Sequence, residues 1–235
     1  MGFFKDMAAV FKKREIALLE SRKESDHVHS FLFEKDKDVD WKAGQHGLFS
    51  ITHKKINKPL RPFTVSSAPS ENVIRITMNI GDNPSEFKQA IQELKPGMKM
   101  SMSGPVGGFF LQDGSPSLLI AGGIGITPFR SFLKQLAAEG NASKQPIRLL
   151  YMDSKKAYPF KDELDRLAAE ASATIVYLDS REELYKEIDQ FVSSHKNNGK
   201  YYISGAKSMV DSIAKHVRSG GVAKGNIKKD SFFGY

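Results

Sequence analysis

The sequence predicts two domains in tandem: an antiparallel β-barrel over residues 14–112, then a parallel-sheet α/β domain over residues 113–235. Three observations carry this. Before residue 112 apolar residues come in short alternating runs separated by turn-forming residues, as strands with one buried face do. Beyond it the strands are continuous apolar runs, which implies burial on both faces, and they alternate with helical patterns. At the change of rhythm stands Asp113-Gly-Ser-Pro116, a turn-forming break.

In the first half the strand runs are Glu15–Leu19, His27–Phe33, Gly47–Thr52, Asn72–Ile80 and Met98–Ser103. One helix interrupts them. Residues 84–94 put Phe87, Ile91 and Leu94 on one face, and Lys95-Pro96-Gly97 stops the helix. In the second half, strands at Ser117–Ala121, Ile147–Met152, Thr174–Leu178 and Tyr201–Ile203 alternate with helices near 127–139, 160–171, 181–194 and 207–218. The first of these helices repeats Phe129, Phe132, Leu133, Leu136 and Ala137 at helical spacing, and Gly140 suits its C-terminal cap. There is no internal repeat and no low-complexity stretch.

A chain of 235 residues can bury a full core unaided. It has no cysteine, which excludes thiolate zinc sites, iron–sulfur clusters held by this sequence, cysteine nucleophiles and disulfides, and fits a cytoplasmic setting. No apolar run approaches the roughly 20 residues of a transmembrane helix. The start, Met1-Gly-Phe-Phe-Lys5 running into Asp6 and Lys12-Lys13-Arg14, lacks the apolar core of a secretory signal. Residues 1–13 carry Phe3, Phe4, Met7, Val10 and Phe11 among lysines, which leaves two readings: an amphipathic helix in peripheral contact with a membrane, or a segment packed on its own domain or on a partner. The net charge of +8, spread at about +4 on each side of residue 112, leaves two readings: a solvated surface, on which lysines are often paired with acids, or an acidic partner. No nucleic-acid motif or stripe of interleaved lysine and aromatic residues points to nucleic acid. His27 and His29 share a strand face but have no third ligand in view, so no metal site is expected.

Two segments carry the chemistry. In Leu119-Ile-Ala-Gly-Gly-Ile-Gly-Ile-Thr-Pro-Phe129 a buried strand runs into a glycine turn that opens a helix, with Thr127 near its cap and Pro128 in its first turn. Glycines let backbone approach a diphosphate, and the free N–H groups of the helix start receive its charge. The spacing is not that of the G-x-G-x-x-G fingerprint, and a tight turn with a purely structural purpose is the other reading. In Arg61-Pro-Phe-Thr-Val-Ser-Ser-Ala-Pro69, at the end of a strand, a guanidinium and an aromatic ring two residues apart share a strand face, with the Thr64 and Ser67 hydroxyls beside them. That set suits a planar, phosphate-bearing cofactor, and a purely structural strand end is the other reading.

Taken in this order, the two segments resemble the ferredoxin–NADP reductase superfamily, in which a flavin-binding barrel precedes a pyridine-nucleotide-binding α/β domain. Arg61, Pro62, Phe63 and Thr64 match its R-x-[Y/F]-[S/T] motif. The resemblance implies that Arg61 neutralises the FAD diphosphate, Phe63 packs by the ring system and Thr64 bonds near flavin N5, the hydride acceptor. Ile76-Thr-Met-Asn-Ile80 resembles the second flavin strand, which would bring in Met78, Asn79 and Ile80, although it departs from the common V-K-R form. Ser85, at a helix start, would help hold the diphosphate. Leu94-Lys-Pro-Gly-Met98 and Gly104-Pro-Val-Gly-Gly-Phe109 resemble the turn and glycine-rich close of the barrel. Gly122, Gly123, Gly125, Thr127 and Pro128 resemble the G-G-x-G-x-T-P turn for the nucleotide diphosphate.

Tyr202-Ile-Ser-Gly-Ala-Lys-Ser-Met209 resembles C-G-P-x-x-M, the segment that faces the nicotinamide; Ser204 replaces the cysteine and Ala206 the proline, while Gly205 and Met209 keep their places. At the end of the chain, Asp230 and either Phe232 or Tyr235 resemble the acid and the terminal aromatic that covers the flavin. The catalytic set implied is Thr64, Ser204 and Asp230. Ser180-Arg181, after the strand that ends at Leu178, stands where NADPH-using relatives place a serine–arginine pair, with Tyr185 and Lys186 following; the acidic Asp179 beside them weighs against a 2′-phosphate. The cofactors implied are FAD and NADP, or NAD, with NADPH favoured. The acceptor implied is an acidic carrier such as ferredoxin or flavodoxin, steered by Lys54, Lys55 and Lys58. A free flavin or ferric chelate is the runner-up acceptor, a multicomponent oxygenase or membrane partner the third. A nucleotide-binding module without catalysis is the remaining alternative, since Ser204 and Ala206 depart from the motif.

Overall fold

The computed structural model describes residues 12–112, 114–140 and 146–232. Most of the N-terminal segment and Tyr235 lie outside these residues. The chain divides into two compact units, one ending at Phe110 and the other beginning at Leu111.

The first unit is a six-stranded sheet of β1 (Arg14–Lys23), β2 (Val28–Glu34), β3 (His46–Ser50), β4 (Leu60–Thr64), β5 (Val73–Asn79) and β6 (Lys99–Val106), in the order β4-β3-β6-β1-β2-β5. Every neighbouring pair is antiparallel. The chain leaving β4 bonds to β5 at the opposite edge: the Ser66 amide donates to the Arg75 carbonyl (2.8 Å), while the Ser67 hydroxyl donates to Val73 O (2.7 Å) and accepts from the Arg75 amide (3.0 Å). Those bonds curl the sheet into a barrel. Pro62 fits β4 because the strand pairs only with β3 and its other edge needs no amide hydrogen.

The inward residues Ile16, Leu18, Phe31, Phe33, Phe49, Ile74, Ile76 and Met102 form the barrel core. Helix α1 (Glu86–Gln92) adds Phe87, Ala90 and Ile91 to that core, capped at its start by the Ser85 hydroxyl. Trp41, almost fully buried, donates its indole N–H to Ser67 O (3.3 Å). On the other face of β2 and β5, Arg75 is 4% exposed and donates to Ser30 Oγ (3.0 Å) and Glu24 (2.5 Å), and Thr77 links the Ser30 and Ser66 hydroxyls. A guanidinium so enclosed requires these partners.

The second unit follows the strand–helix rhythm: β7 (Ser117–Gly122), α2 (Thr127–Glu139), β8 (Ile147–Met152), α3 (Lys161–Glu170), β9 (Ala173–Leu178), α4 (Arg181–His195), β10 (Lys200–Ala206), α5 (Lys207–Ser219) and β11 (Ile227–Phe232). All five strands are parallel, in the order β11-β10-β7-β8-β9. One face carries Leu118, Ile120, Leu150 and Ile203 against Leu184, Ile188 and Phe191 of α4 and Val210, Ile213 and Val217 of α5. On the other, Phe132 of α2 packs edge-on against Tyr202 of β10. Arg130, 1% exposed, ties α2 to α3 through two bonds to Glu163 (3.0 and 2.5 Å). Gly140 ends α2 in the left-handed region (φ 69°), as its C-cap role demands.

Residues 227–232 are a full edge strand, and Phe232 lies opposite Ala206, half-buried.

Candidate functional site

Strand order in the second unit reverses at β7: the chain runs outward through β8 and β9, then returns to the other side of β7 as β10 and β11. In open parallel sheets ligands bind at the carboxyl ends of the strands on either side of such a reversal. The two segments found there are the glycine turn after β7 and Ser204-Gly205-Ala206 at the end of β10. They are packed backbone against backbone. A Cβ on Gly125 would overlap the Ser204 carbonyl, and one on Gly122 would collide with the Met209 thioether. Gly205 takes φ 152° and abuts the Gly122 backbone. Gly123 differs: its φ is 51°, and a Cβ there would have nothing within 4 Å. Three of these glycines serve close packing, while Gly123 faces open space, which is the cradle a diphosphate requires.

Ser204 and Asp230 lie opposite one another in the β10–β11 ladder, and the wholly buried Ser204 hydroxyl donates to Asp230 Oδ2 at 3.4 Å. That is long for a hydroxyl–carboxylate bond. The Thr127 hydroxyl turns back to Ile124 O (3.2 Å), and Pro128 is buried in the first turn of α2; both shape the turn.

In the barrel unit Arg61 and Phe63 share a face of β4, as their spacing requires. Among the described residues the Arg61 guanidinium bonds only the Leu60 carbonyl (2.9 Å) and has no carboxylate partner. Phe63 is half-buried between Phe87 (5.4 Å between centroids) and Phe49 (6.2 Å). Thr64 is buried on the opposite face, directly across from His46. Burial lowers the His46 imidazole below the ordinary histidine value, so it is neutral at pH 7. A guanidinium with no carboxylate partner among the described residues, on one strand face with an aromatic ring, fits a flavin diphosphate and ring system; the Thr64 hydroxyl lies on the other face of the strand.

Not every expected residue offers a side chain. Ser67 spends its hydroxyl on β5. Met78 and Ile80 are core residues, leaving only their backbone to a ligand; Asn79 between them is exposed. The Ser85 hydroxyl caps α1 by accepting from the Lys88 amide (3.5 Å).

At the end of β9, Ser180 caps α4 by accepting from the Glu183 amide (3.3 Å), and Arg181 is exposed at the first helical position. Asp179 is not a free charge: Lys156, from the loop after β8, reaches it at 2.5 Å. Sequence reasoning missed Lys156, one lysine among many, and His46, which no motif marks. Tyr185 bonds Ser212 (3.0 Å) and packs at a tilt against the His216 ring (4.4 Å between centroids).

Residues 119–215 match the family model described as oxidoreductase NAD-binding domain. In fold, the chain is similar to ferredoxin–NADP+ reductases and to related FAD/NAD-binding domains. It superposes on an H286L mutant of ferredoxin–NADP+ reductase from Plasmodium falciparum with a TM-score of 0.80 and 19% identity, covering 95% of this chain and 97% of that one. The flavohem-like FAD/NAD-binding domain of a nitric oxide dioxygenase from Vibrio cholerae gives a TM-score of 0.75 at 23% identity, covering 93% and 98%. In sequence, the toluate 1,2-dioxygenase electron transfer component of Pseudomonas putida is 28% identical over 148 residues, 59% of this chain and 44% of that protein. A component of the Na(+)-translocating NADH-quinone reductase of Neisseria meningitidis is 26% identical over 226 residues, 85% and 55%. The chain thus spans about half the length of these curated relatives. Among the described residues no helix is long and apolar enough to cross a membrane, and no group of three His, Cys, Asp or Glu side chains is placed to hold a metal ion.

Proposed function

We propose that the chain is a flavoprotein reductase that takes hydride from NADPH into FAD and delivers electrons to an acidic carrier protein of the ferredoxin or flavodoxin kind. The observation that carries the reading is the packed pair of segments at the strand-order reversal, where Gly123 opens to solvent beside the Ser204–Asp230 pair. Bound FAD would supply hydride acceptance at N5 and one- or two-electron release; the rest is the work of this chain's residues.

Arg61 would meet the flavin diphosphate with a guanidinium that has no carboxylate partner among the described residues, so binding breaks no ion pair there. Phe63 would pack by the ring system, and the Thr64 hydroxyl would bond near its hydride-accepting nitrogen. In the second unit the turn at Gly123 receives the nucleotide diphosphate. Ser204 commits its hydrogen to Asp230 and so presents lone pairs, a polarity the family's thiol shares only weakly. The long bond has room to shorten in the loaded protein. Arg181 and Ser180 face the adenosine end, which favours the 2′-phosphorylated coenzyme. Lys55 and Lys58, exposed in the loop after β3, add to a net charge of +8 that draws an acidic acceptor.

The test is the visible spectrum of the purified protein after incubation with FAD, followed by NADPH or NADH without oxygen. Flavin bands that bleach with NADPH support the reading. A protein that stays colourless in the presence of FAD refutes it.

A further inference from the structure

We propose that Lys156 selects the coenzyme, by holding Asp179 away from an unphosphorylated ribose so that the corner after β9 accepts adenosine 2′-phosphate. The inference rests on the reading that Ser180 and Arg181 hold the adenosine end of the coenzyme.

A carboxylate at the end of a strand in a dinucleotide fold ordinarily accepts the ribose hydroxyls and, by its charge, rejects a 2′-phosphate. Asp179 holds that position, one residue past β9. Read alone it specifies the coenzyme without the phosphate, in conflict with the neighbouring Ser180-Arg181. The loop after β8 resolves the conflict. Its base is anchored beside the acid: the Asp153 amide donates to Leu178 O (2.9 Å), the carbonyl just before Asp179. The Asp153 side chain accepts from the Lys155 amide (2.8 Å) and its carbonyl from the Lys156 amide (3.0 Å), closing a turn.

That turn puts Lys156 at φ 56°, a left-handed conformation that residues with side chains avoid, and Tyr158 and Phe160 follow at φ 34° and 67°. Three such residues in five mark a loop whose shape is imposed by its surroundings, as at many ligand sites. The outcome is Lys156 Nζ at 2.5 Å from Asp179 Oδ2, a pairing that raises the lysine above its ordinary value. Glu183 is the other acid facing Lys156. Asp179 is thus paired, and the exposed Arg181 stands two residues on, at the first helical position of α4. An ammonium has three hydrogens, so Lys156 can keep Asp179 and still donate to a phosphate.

The test is calorimetric titration of the full chain with 2′,5′-ADP and with 5′-AMP, beside thermal melts. Wild type is expected to bind 2′,5′-ADP the more tightly. Lys156→Ala should weaken 2′,5′-ADP about tenfold or more, the scale of a lost charge-assisted hydrogen bond, and leave 5′-AMP unchanged or tighter. Lys156→Ala/Asp179→Asn should recover much of the lost 2′,5′-ADP affinity, which removal of a merely structural lysine cannot produce. Equal loss of both ligands, no change in either, or no recovery in the double variant overturns the inference. So does a wild type that binds 5′-AMP as tightly as 2′,5′-ADP. A wild type that binds neither overturns the adenosine-site reading itself, and this inference with it.

Discussion

Gly123 and Gly125 are two residues apart in one turn, and alanine should affect them in opposite ways. An alanine Cβ at 125 would stand 2.6 Å from the Ser204 carbonyl carbon and 2.8 Å from Gly205 Cα. Carbon pairs rest at about 3.5–4.0 Å, so the two segments must separate by roughly 0.7 Å or more. Neither is a flexible side-chain end, since Ser204 pairs with Ala121 and with Asp230 in the sheet. Overpacking of this kind costs about 2–3 kcal/mol. For a unit of this size each kcal/mol lowers the melting temperature by roughly 3–5 °C, so Gly125→Ala should melt about 6–15 °C below wild type.

Gly123→Ala meets no atom within 4 Å and pays only for a left-handed alanine, about 1 kcal/mol, or roughly 3–5 °C. Its methyl group, however, enters the space assigned to the coenzyme diphosphate, so NADPH affinity should fall while the fold survives. Calorimetric melting and NADPH titration of the two variants read both effects. A Gly125→Ala protein that melts within about 2 °C of wild type would mean that the β7 turn and the end of β10 are not in contact as described.

Three further outcomes are expected. Arg61→Ala should leave the melting temperature within about 1 °C, its only described bond being to Leu60 O, yet weaken FAD about 10–100-fold, the worth of a charged hydrogen bond; unchanged flavin retention would place the diphosphate elsewhere. Ser204→Ala removes a buried hydroxyl and should cost about 1 kcal/mol of stability while slowing flavin reduction at unaltered NADPH affinity, with stopped-flow bleaching as the measurement and an unchanged rate as the refutation. His46 is held below its unfolded value by burial, so the unfolded chain binds the proton first on acidification; wild type should lose stability as pH falls from about 6.5 toward the lower folded value. His46→Gln should remove that part of the slope in chemical denaturation at pH 5.5 and 7.5, and parallel slopes would show that the imidazole is not desolvated.

Much of this was legible in the sequence because the physics is local. Continuous runs such as Leu118–Ala121 are needed wherever a parallel strand is covered on both faces, and a glycine turn entering a helix is needed wherever backbone crowds backbone. The uses of single hydroxyls were not legible. Ser67 and Thr127 look like ligand contacts in a motif, but their oxygens close the barrel and shape a turn, choices set by which carbonyl lies nearest in space. Nor was the pairing of Lys156 with Asp179: the residues are far apart in sequence and meet only because β8 and β9 are neighbours. Residues 227–232 are too polar, Ile-Lys-Lys-Asp-Ser-Phe, to announce an edge strand by periodicity. Their ladder comes from β10.

The enclosure of Trp41 has a practical side. It is the sole tryptophan and lies in the barrel unit, whereas all seven tyrosines lie at or beyond residue 151, in the other. The two halves of the chain therefore carry different intrinsic fluorophores. Emission excited at the red edge of the indole band follows the first unit alone, and tyrosine emission belongs to the second. Whether the halves unfold together or one after the other is thus readable in the unlabelled protein, without an engineered probe or a severed chain.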